Sequence, residues 1–300
     1  CETACPANVQ VGGLIEEARG QVRRAVPVTG WRKQMSRLFL EGLFPHPERV
    51  NKLGQLLRFL KSSGLSSFAR KSGLMKLLPQ HLNLLEQVTP EPGEPLRKKY
   101  QEVIPAQGVT RARVAVLTGC VMDAVFGEVN EATVRVLTRN GYEVHIPQGQ
   151  TCCGALHVHA GEREAGRKLA RRNMEAFAEA DHVLVNAAGC GCAMQEYPEL
   201  FKEEPEMREQ AEAFAAKVTD VSRFLHHRGF EKPKGEIRAR VTYHDACHLA
   251  HGQGVREEPR RLLQSIPGVE WVEMPEADRC CGSAGIYNIT QPKMAQAVLE

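Results

Sequence analysis

The stretch RVAVLTGC, residues 113–120, decides the fold because the chain contains a second copy of it. RVTYHDAC (240–247) repeats it, and the final cysteines of the two stretches lie 127 residues apart. QTCCGALH (150–157) is repeated by DRCCGSAG (278–285), where the first cysteines of the two pairs lie 128 residues apart. An offset held this closely over two cysteine sites indicates an internal duplication.

Short apolar strands alternate with helical stretches around these cysteines. We predict strands at 113–119, 142–147 and 182–189 and helices at 127–140, 161–180 and 205–228. Strands that alternate with helices of this length build α/β units around a largely parallel sheet. The predicted fold class is therefore α/β, with duplicated cysteine-bearing modules.

An α-helical region precedes the modules. Helical periodicity is present at 7–25, 31–43, 48–62 and 66–78. From Pro79 to Arg111 the apolar pattern weakens and five prolines occur, which is typical of an irregular connection. The helices are thus separated from the modules by a linker.

Composition restricts the classes of function. The chain has 300 residues, of which 42% are hydrophobic and 25% charged, and neither a leader segment nor a run of about 18 apolar residues is found. Ten cysteines without a secretory segment favour a reducing compartment, where thiols act as ligands rather than bridges. A net charge of only +3 with few aromatic residues argues against nucleic-acid binding.

Both chain ends suggest a fragment of a longer protein. The chain opens on CETACP (1–6) without an initiator Met and closes on QPKMAQAVLE (291–300), inside a helical pattern. We therefore expect some cysteines to lack their partners. A fourth cysteine of the second module, for example, is expected near position 318.

The cysteines of the modules follow predicted strand ends. They are Cys120, Cys152, Cys153, Cys190 and Cys192 in the first module and Cys247, Cys280 and Cys281 in the second. Carboxyl ends of parallel strands meet at one edge of a sheet, so these thiols are expected to converge.

The vicinal pairs indicate a metal centre rather than a disulfide. Adjacent Cα atoms are about 3.8 Å apart, whereas a disulfide requires roughly 4.4–6.8 Å. Adjacent thiolates more naturally bind two different metal atoms, which favours a polynuclear cluster. A tetrahedral zinc site stays open as the alternative.

The opening CETACP carries a separate signal. Cys-x₃-Cys-Pro is the tail of the bacterial ferredoxin run, in which the last cysteine serves the other cluster. We expect Cys1 to bind one [4Fe–4S] cluster and Cys5 its neighbour.

These motifs together resemble the iron–sulfur subunits of glycolate oxidase (glycolate dehydrogenase). The motifs that carry the resemblance are CETACP (1–6), GC (119–120), CCGA (152–155), GCG (189–191), ACH (246–248) and CCGSAG (280–285). The resemblance implies two ferredoxin-type [4Fe–4S] clusters in the full-length protein and two cysteine-rich CCG domains, with a further iron–sulfur or zinc centre in the latter. It covers essentially the whole chain.

The resemblance also implies a role in electron transfer. FAD-containing partner subunits would oxidise glycolate to glyoxylate, and this subunit of the 2-hydroxy-acid:acceptor oxidoreductase would pass the electrons to a quinone-type acceptor. The chain itself has no flavin or nucleotide fingerprint. Iron–sulfur subunits for lactate or glycerol-3-phosphate oxidation and heterodisulfide reductase share CCG domains and stay open, as does a zinc-bound thiol scaffold or assembly factor.

The resemblance suggests four parts of the chain. They are the C-terminal end of a ferredoxin-like [4Fe–4S] domain (1–25), a helical spacer with a Pro-rich linker (26–110), the first CCG domain (111–232) and a truncated second CCG domain (233–300).

The first module departs from the heterodisulfide reductase pattern. Cys190-Gly191-Cys192 is C-x-C rather than C-x₂-C, and Ala193 stands in the usual last place. Cys192 is therefore a substitute ligand or a spare thiol. Histidines also lie near the cysteines (His157, His159, His244, His248 and His251), and His248 is the one retained as a metal-ligand candidate.

The helical region is strongly basic. Residues 19–76 contain 13 Lys and Arg against Glu41 and Glu48. Apolar residues at helical spacing accompany them: Trp31, Met35, Leu38, Phe39 and Leu43. Such a surface suits either an anionic membrane or a partner subunit. We expect a cytoplasmic protein, with peripheral contact to the cytoplasmic face of the inner membrane left open.

Overall fold

A computed structural model describes most of the chain. The described residues are 6–7, 9, 11–26, 28–63, 72, 90, 92–283 and 287–300. Cys1, Cys5 and the helix predicted at 66–78 fall outside the described residues, apart from Ser72.

Three helices form the N-terminal region. They are α1 (Val11–Ala25), α2 (Gly30–Ser36), which continues as a π-helical stretch (Arg37–Leu43), and α3 (Pro47–Ser62). Pro47 is the first residue of α3, where its missing N–H costs no hydrogen bond and its fixed φ suits a helix.

The first module is built on a five-stranded sheet. Its strands are β1 (Val103–Ile104), β2 (Ala112–Val116), β3 (Tyr142–His145), β4 (Val183–Val185) and β5 (Val218–Asp220). Their order is β1-β3-β2-β4-β5, and all neighbours are parallel except β1 and β3. The carboxyl ends of β3, β2 and β4 therefore lie side by side at one edge.

Helices cover both faces of this sheet. They are α4 (Leu96–Lys99), α5 (Val121–Val125), α6 (Gly127–Arg139), α7 (Ala155–His159), α8 (Arg163–Ala176), α9 (Ala188–Gln195), α10 (Tyr197–Leu200), α11 (Pro205–Ala215) and α12 (Val221–Arg228). Successive residues of β2 point to opposite faces. Val114 and Val116 pack with Leu137 of α6, whereas Ala115 packs with Phe177 and other residues of the opposite core.

The second module has a two-stranded parallel sheet in the described residues. Its elements are β6 (Ala239–Val241), a π-helical turn (His248–Gly252), α13 (Glu257–Gln264), β7 (Val269–Trp271), α14 (Tyr287–Thr290) and α15 (Pro292–Leu299). The α/β fold class with a mainly parallel sheet is confirmed. None of the described helices has the length and apolar character needed to cross a membrane.

Three element predictions were wrong in detail. The helix predicted at 205–228 is interrupted by β5, after which Asp220 caps α12 by accepting a hydrogen bond from the Ser222 N–H (2.8 Å). The strand predicted at 182–189 ends at Val185, and α9 begins at Ala188. The linker contains α4 and the short edge strand β1.

Candidate metal centre in the first module

Three neighbouring loops bring four cysteines to one edge of the sheet. Cys120 caps α5 after β2, Cys152 and Cys153 lie in the loop between β3 and α7, and Cys190 lies in the first turn of α9 after β4. The sulfur of Cys120 is 3.7 Å from that of Cys152. Cys153 interacts with both Cys152 and Cys190. The thiols thus form a chain of pairwise contacts.

A glycine shapes the loop of the vicinal pair. Gly154 has a φ of 87°, in the left-handed region that glycine tolerates without strain. In that conformation its N–H points back to the sulfur of Cys152, at 3.5 Å. A backbone amide directed at a sulfur favours the thiolate form.

Buried polar side chains hold the backbone of the pair. Asn173 donates to the carbonyl of Cys152 (3.0 Å) and accepts from the N–H of Thr151 (2.8 Å). The hydroxyl of Tyr197 donates to the carbonyl of Cys153 (2.9 Å). Sequence reasoning missed both supports; a polar Asn within the apolar stripe of a helix was the available signal for the first.

A second set of hydrogen bonds joins the loops after β2 and β3. The side chain of Gln150 accepts from the N–H of Thr118 (2.8 Å) and donates to the carbonyl of Val116 (3.2 Å). Arg97 donates to the hydroxyl of Thr118 (3.1 Å). The relative positions of Cys120 and Cys152 are therefore fixed from both loops.

Burial and mutual contacts raise the pKa of three of these thiols, those of Cys120, Cys152 and Cys153. A hydrogen bond to Cys152 and burial raise the pKa of Cys120. The hydrogen bond from Cys120 lowers the pKa of Cys152, but the bond to Cys153 and burial outweigh it, so the net shift is upward. The pKa of Cys153 also rises, because the hydrogen bond with Cys190 and burial outweigh the contact with Cys152. A cation bound among them would stabilise the thiolates.

The N-terminal helices close the site from outside. We call residues 40–51 the helical cover. Leu43, Phe44 and Val50 pack against the cluster that contains Cys120 and Cys152. The hydroxyl of Thr151 donates to the carbonyl of Pro45 (2.9 Å), which ties the cysteine loop to the cover.

Two further contacts anchor the cover. Asn51 donates to the buried carboxylate of Asp123 (3.0 Å). The fully buried His157 has its Nε2 2.6 Å from the carbonyl of Leu40, which makes that nitrogen the donor. Burial lowers the pKa of His157 although the Leu40 contact opposes the shift. His157 therefore has a structural role that its proximity to the cysteines did not reveal.

Cys192 does not join the four thiols. Its sulfur donates to Glu196 (3.2 Å), and it faces Gly252 of the second module, where a Cβ would stand 2.5 Å from that sulfur. Burial and the neighbouring Glu196 raise the pKa of Cys192. The helical turn separates it from Cys190 because residues two apart in a helix point in different directions.

The second module presents its cysteines differently. Cys247, Cys280 and Cys281 are exposed. Cys247 lies 3.6 Å from the Nδ1 of His248, and the N–H of Gly282 donates to Cys280 (3.4 Å), as Gly154 does in the first module.

Other histidines near the cysteines have polar partners. The Nδ1 of His159 lies 2.7 Å from a carboxylate oxygen of Glu16 in α1. The Nε2 of His244 lies 3.1 Å from the carbonyl oxygen of Arg279, and the Nδ1 of His251 lies 2.9 Å from a guanidinium nitrogen of Arg256.

The donor set of the first module fits an iron–sulfur group. Four free thiols from three loops and an amide N–H directed at sulfur are the groups that such clusters use. Among the described residues, no three His, Cys, Asp or Glu side chains are grouped closely enough to bind a single metal ion. The contacts between the four thiols are pairwise, so the fit to a cluster rests on the kind and number of donors and not on a finished ligand geometry.

Comparison with known proteins identifies similar chains. Residues 31–89 match the linker region of the glycolate oxidase iron–sulfur subunit, and residues 114–195 and 241–300 match the cysteine-rich CCG domain. A probable glycolate oxidase iron–sulfur subunit of Bacillus subtilis (strain 168) is 40% identical over 305 residues, covering 100% of this chain and 69% of that protein.

Two other relatives match a shorter part. A fumarate reductase (CoM/CoB) subunit of Methanothermobacter marburgensis is 37% identical over 188 residues, covering 62% of this chain and 36% of that protein. Lactate utilization protein A of Geobacillus thermodenitrificans is 32% identical over 189 residues, covering 63% of this chain and 79% of that protein.

Proposed function

The chain belongs to the family of glycolate oxidase iron–sulfur subunits, and on that premise we propose that it carries electrons within a complex that oxidises glycolate to glyoxylate. FAD-containing partner subunits perform the oxidation in this proposal, and a quinone-type acceptor receives the electrons. The complex works at the cytoplasmic face of a membrane. The four parts of the chain, 1–25, 26–110, 111–232 and 233–300, belong to the same proposal.

One observation carries the proposal. The thiols of Cys120, Cys152, Cys153 and Cys190 lie in a chain of contacts at the carboxyl ends of three adjacent parallel strands, and apolar side chains of the cover pack on Cys120 and Cys152. An iron–sulfur cluster held there would supply a one-electron centre, which allows the two electrons of a flavin to leave singly. The chain itself provides the thiolates, the N–H of Gly154 and apolar side chains that bury Cys120 and Cys152.

The proposed ligands include cysteines from both modules and from the N-terminal motif. In the first module Cys120, Cys152, Cys153 and Cys190 are the proposed ligands. In the second module Cys247, Cys280 and Cys281 take this role, with His248 as a further candidate because of its contact with Cys247. Cys1 and Cys5 are proposed for the ferredoxin-type [4Fe–4S] clusters.

Anaerobic reconstitution tests the metal centre. The protein is incubated with ferrous iron and sulfide, and iron content and electron paramagnetic resonance are measured. We expect Cys152→Ser and Cys190→Ser each to remove the iron and the signal of the first module. Cys192→Ser is the matched control, since its sulfur faces Glu196 instead, and it should keep both.

A zinc scaffold is the competing function. Bound zinc without a paramagnetic iron signal from the two modules would overturn the iron–sulfur proposal. Equal iron content in the wild type, Cys152→Ser and Cys190→Ser would overturn the ligand assignment.

The substrate is tested on the complex. The full-length protein is purified with its partner subunits and assayed with glycolate, lactate and glycerol-3-phosphate against a quinone-like dye. We expect glycolate to reduce the dye. Because relatives include lactate utilization proteins, reduction by lactate alone would make this chain an iron–sulfur subunit for lactate oxidation.

A further inference from the structure

Helix α1 turns its apolar stripe away from the protein. Leu14, Ile15 and Val22 are 62%, 45% and 60% exposed. The opposite side is polar and packs on the first module, where Glu16 contacts His159 and Arg23 contacts Glu162. A surface helix normally buries its apolar stripe. Because residues 1–25 are proposed to end a ferredoxin-like domain, we assign this face of α1 to that domain, which leaves the segment that follows as the candidate docking surface.

The segment after α1, from Val26 through α2 to the π-helical stretch, also exposes apolar side chains. Val26 is 67% exposed, Trp31 of α2 is 70% exposed, and Leu38 of the π-helical stretch is 58% exposed. We call the exposed apolar residues of this segment the outer helical surface: Val26, Trp31, Met35, Leu38 and Phe39.

A basic cleft opens beside this surface. It has a volume of about 410 Å³ and is lined by side chains of α1, α2 and the start of α8. Its basic residues are Arg23, Arg24, Lys33, Arg37, Arg163 and Arg167, against the acids Glu41, Glu162 and Glu164. The cleft is therefore positive on balance.

Three of the basic side chains remain available at the cleft. Arg24 and Arg37 have only distant ion pairs, at 3.8 Å to Glu17 and 4.0 Å to Glu41. Within the described part of the chain, the side-chain amine of Lys33 forms no hydrogen bond or ion pair. Exposed pairs of this length contribute little, so the charges can be redirected to a ligand at small cost.

Charge along the chain is unevenly distributed. Residues 11–63 contain 10 Lys and Arg against four Glu, whereas the whole chain has a net charge of only +3. The remainder is therefore acidic on balance, and attraction to an anionic surface would orient the helical region towards it.

We propose that the outer helical surface and the basic cleft dock the protein on an anionic phospholipid bilayer. Lys33, Arg37 and Arg24 bind lipid phosphates, while Trp31 and its apolar neighbours enter the interface between headgroups and acyl chains. A protein partner is less suited, because interface cores are depleted in Lys, and here Lys33 lies among the exposed apolar side chains.

This inference rests on the membrane association within the proposed function and gives it a location. The π-helical stretch that follows α2 leads directly into the helical cover over Cys120 and Cys152. Docking would therefore bring the first metal centre close to the bilayer, where a lipid-soluble acceptor resides.

Vesicle sedimentation tests the proposal. The reconstituted protein is mixed with vesicles of phosphatidylcholine alone or with 30% phosphatidylglycerol. We expect binding only to the anionic vesicles, weakening as salt rises. Lys33→Glu with Arg37→Glu should reduce binding at least about 10-fold, and Trp31→Ala about 10-fold.

Matched controls separate this site from general charge effects. Lys234→Glu with Arg238→Glu reverses two charges that are 87% and 83% exposed in the second module, and should leave binding unchanged. In a Trp271→Phe background, Trp31 is the one tryptophan left in the chain, and its emission should shift to the blue on anionic vesicles.

Each contrary outcome has a clear meaning. Absence of binding to anionic vesicles, or binding that the Lys33 and Trp31 variants retain, would overturn the proposal. The proposal would also be overturned if the cleft bound inorganic phosphate but no vesicles. It would likewise be overturned if the variants lost binding to the partner subunits while the wild type bound no vesicles. Iron content measured on the same sample shows separately whether the electron-transfer proposal has failed.

Discussion

The two modules carry the same cysteine motif in opposite surroundings. In the first, Cys120, Cys152 and Cys153 are 8%, 1% and 5% exposed, whereas Cys247, Cys280 and Cys281 of the second are exposed. The first module has five strands in its sheet, and the described part of the second has two.

In the first module Cys153 packs with residues of β4 and α9, whereas the described part of the second module has strands that correspond only to β2 and β3. The helical cover adds to the burial of Cys120 and Cys152. It belongs to neither module, yet Val50 and Phe44 pack directly on the cluster with Cys120 and Cys152. A segment from outside the modules therefore encloses Cys120 and Cys152. We expect the thiols of the first module to serve as a shielded centre and those of the second to face a partner.

Thiol labelling gives the largest expected difference between the modules. In metal-free protein under native conditions, a maleimide should modify Cys247, Cys280 and Cys281 at least about 100-fold faster than Cys120, Cys152 and Cys153, because buried thiols react only after local opening. Mass spectrometry of timed digests measures the rates. Similar rates for both sets would contradict the difference in exposure between the two modules.

The second module should depend on one buried arginine. Arg260 binds Asp245 at 2.8 and 2.9 Å and also contacts Glu273, and it keeps the pKa of Asp245 below its usual value. Arg260→Met leaves the buried carboxylate unpaired and should cost about 3 kcal/mol of unfolding free energy.

Hydrogen exchange should show where that loss occurs. We expect faster exchange in β6 and β7 with little change in β2 to β4. Arg238→Met, at a side chain that is 83% exposed, is the control and should change stability by under about 0.5 kcal/mol. Uniform loss of protection across both sheets would show that the modules unfold together.

The contact between the modules can be tested with two glycines. A Cβ on Gly252 would stand 2.5 Å from the sulfur of Cys192, so Gly252→Ala should cost about 1–3 kcal/mol in denaturant unfolding. Gly189 of α9 has open space around it, and Gly189→Ala should be neutral or stabilising by up to about 1 kcal/mol. Equal changes in unfolding free energy for the two variants would mean that Cys192 and Gly252 do not pack against each other between the modules.

The smallest expected effect is the pH dependence of the cover. Burial lowers the pKa of His157 in the folded protein, while an unfolded His titrates near about 6.5. The unfolded chain therefore takes up the proton first, so this contribution is fully present above about pH 6.5 and is lost as pH falls towards the folded pKa.

A variant isolates that contribution. His157→Gln can still donate to the carbonyl of Leu40 but does not titrate, so its stability should fall less between pH 7 and 5 than that of the wild type. Thermal unfolding over this range measures the slope, with the exposed His226→Gln as control. Parallel slopes for His157→Gln and wild type would exclude His157 as the titrating anchor.

The arrangement of the first module could be predicted from the sequence because its information is local. RVAVLTGC contains the end of β2 and the cysteine that follows it, QTCCGALH follows β3 after a short loop, and parallel strands bring their carboxyl ends together. β5 was missed because VTD is three residues long and lies between two strong helical patterns.

The rest depends on contacts between distant segments. The periodicity of α1 indicated a helix with an apolar face but not that this face points outward, which the polar contacts of Glu16 and Arg23 determine. The cover was missed for the same reason, since nothing in residues 40–51 marks them as neighbours of the cysteines. The side chain of Cys192 points away from that of Cys190 because both lie in α9, which begins at Ala188. The small residues at the start of this helix gave no helical periodicity from which its position could be predicted.

The separation in sequence between the cover and its anchors has a consequence for biogenesis. Thr151 reaches Pro45 across 106 residues and His157 reaches Leu40 across 117. Contacts that close such long loops carry a high entropic cost, so we expect them to form late in folding, after the sheet. Pulsed hydrogen exchange during refolding would then show β2 and β3 protected before α3. In that interval the thiols would be close together but still open, so the iron–sulfur group proposed for them could be inserted before the cover closes over Cys120 and Cys152.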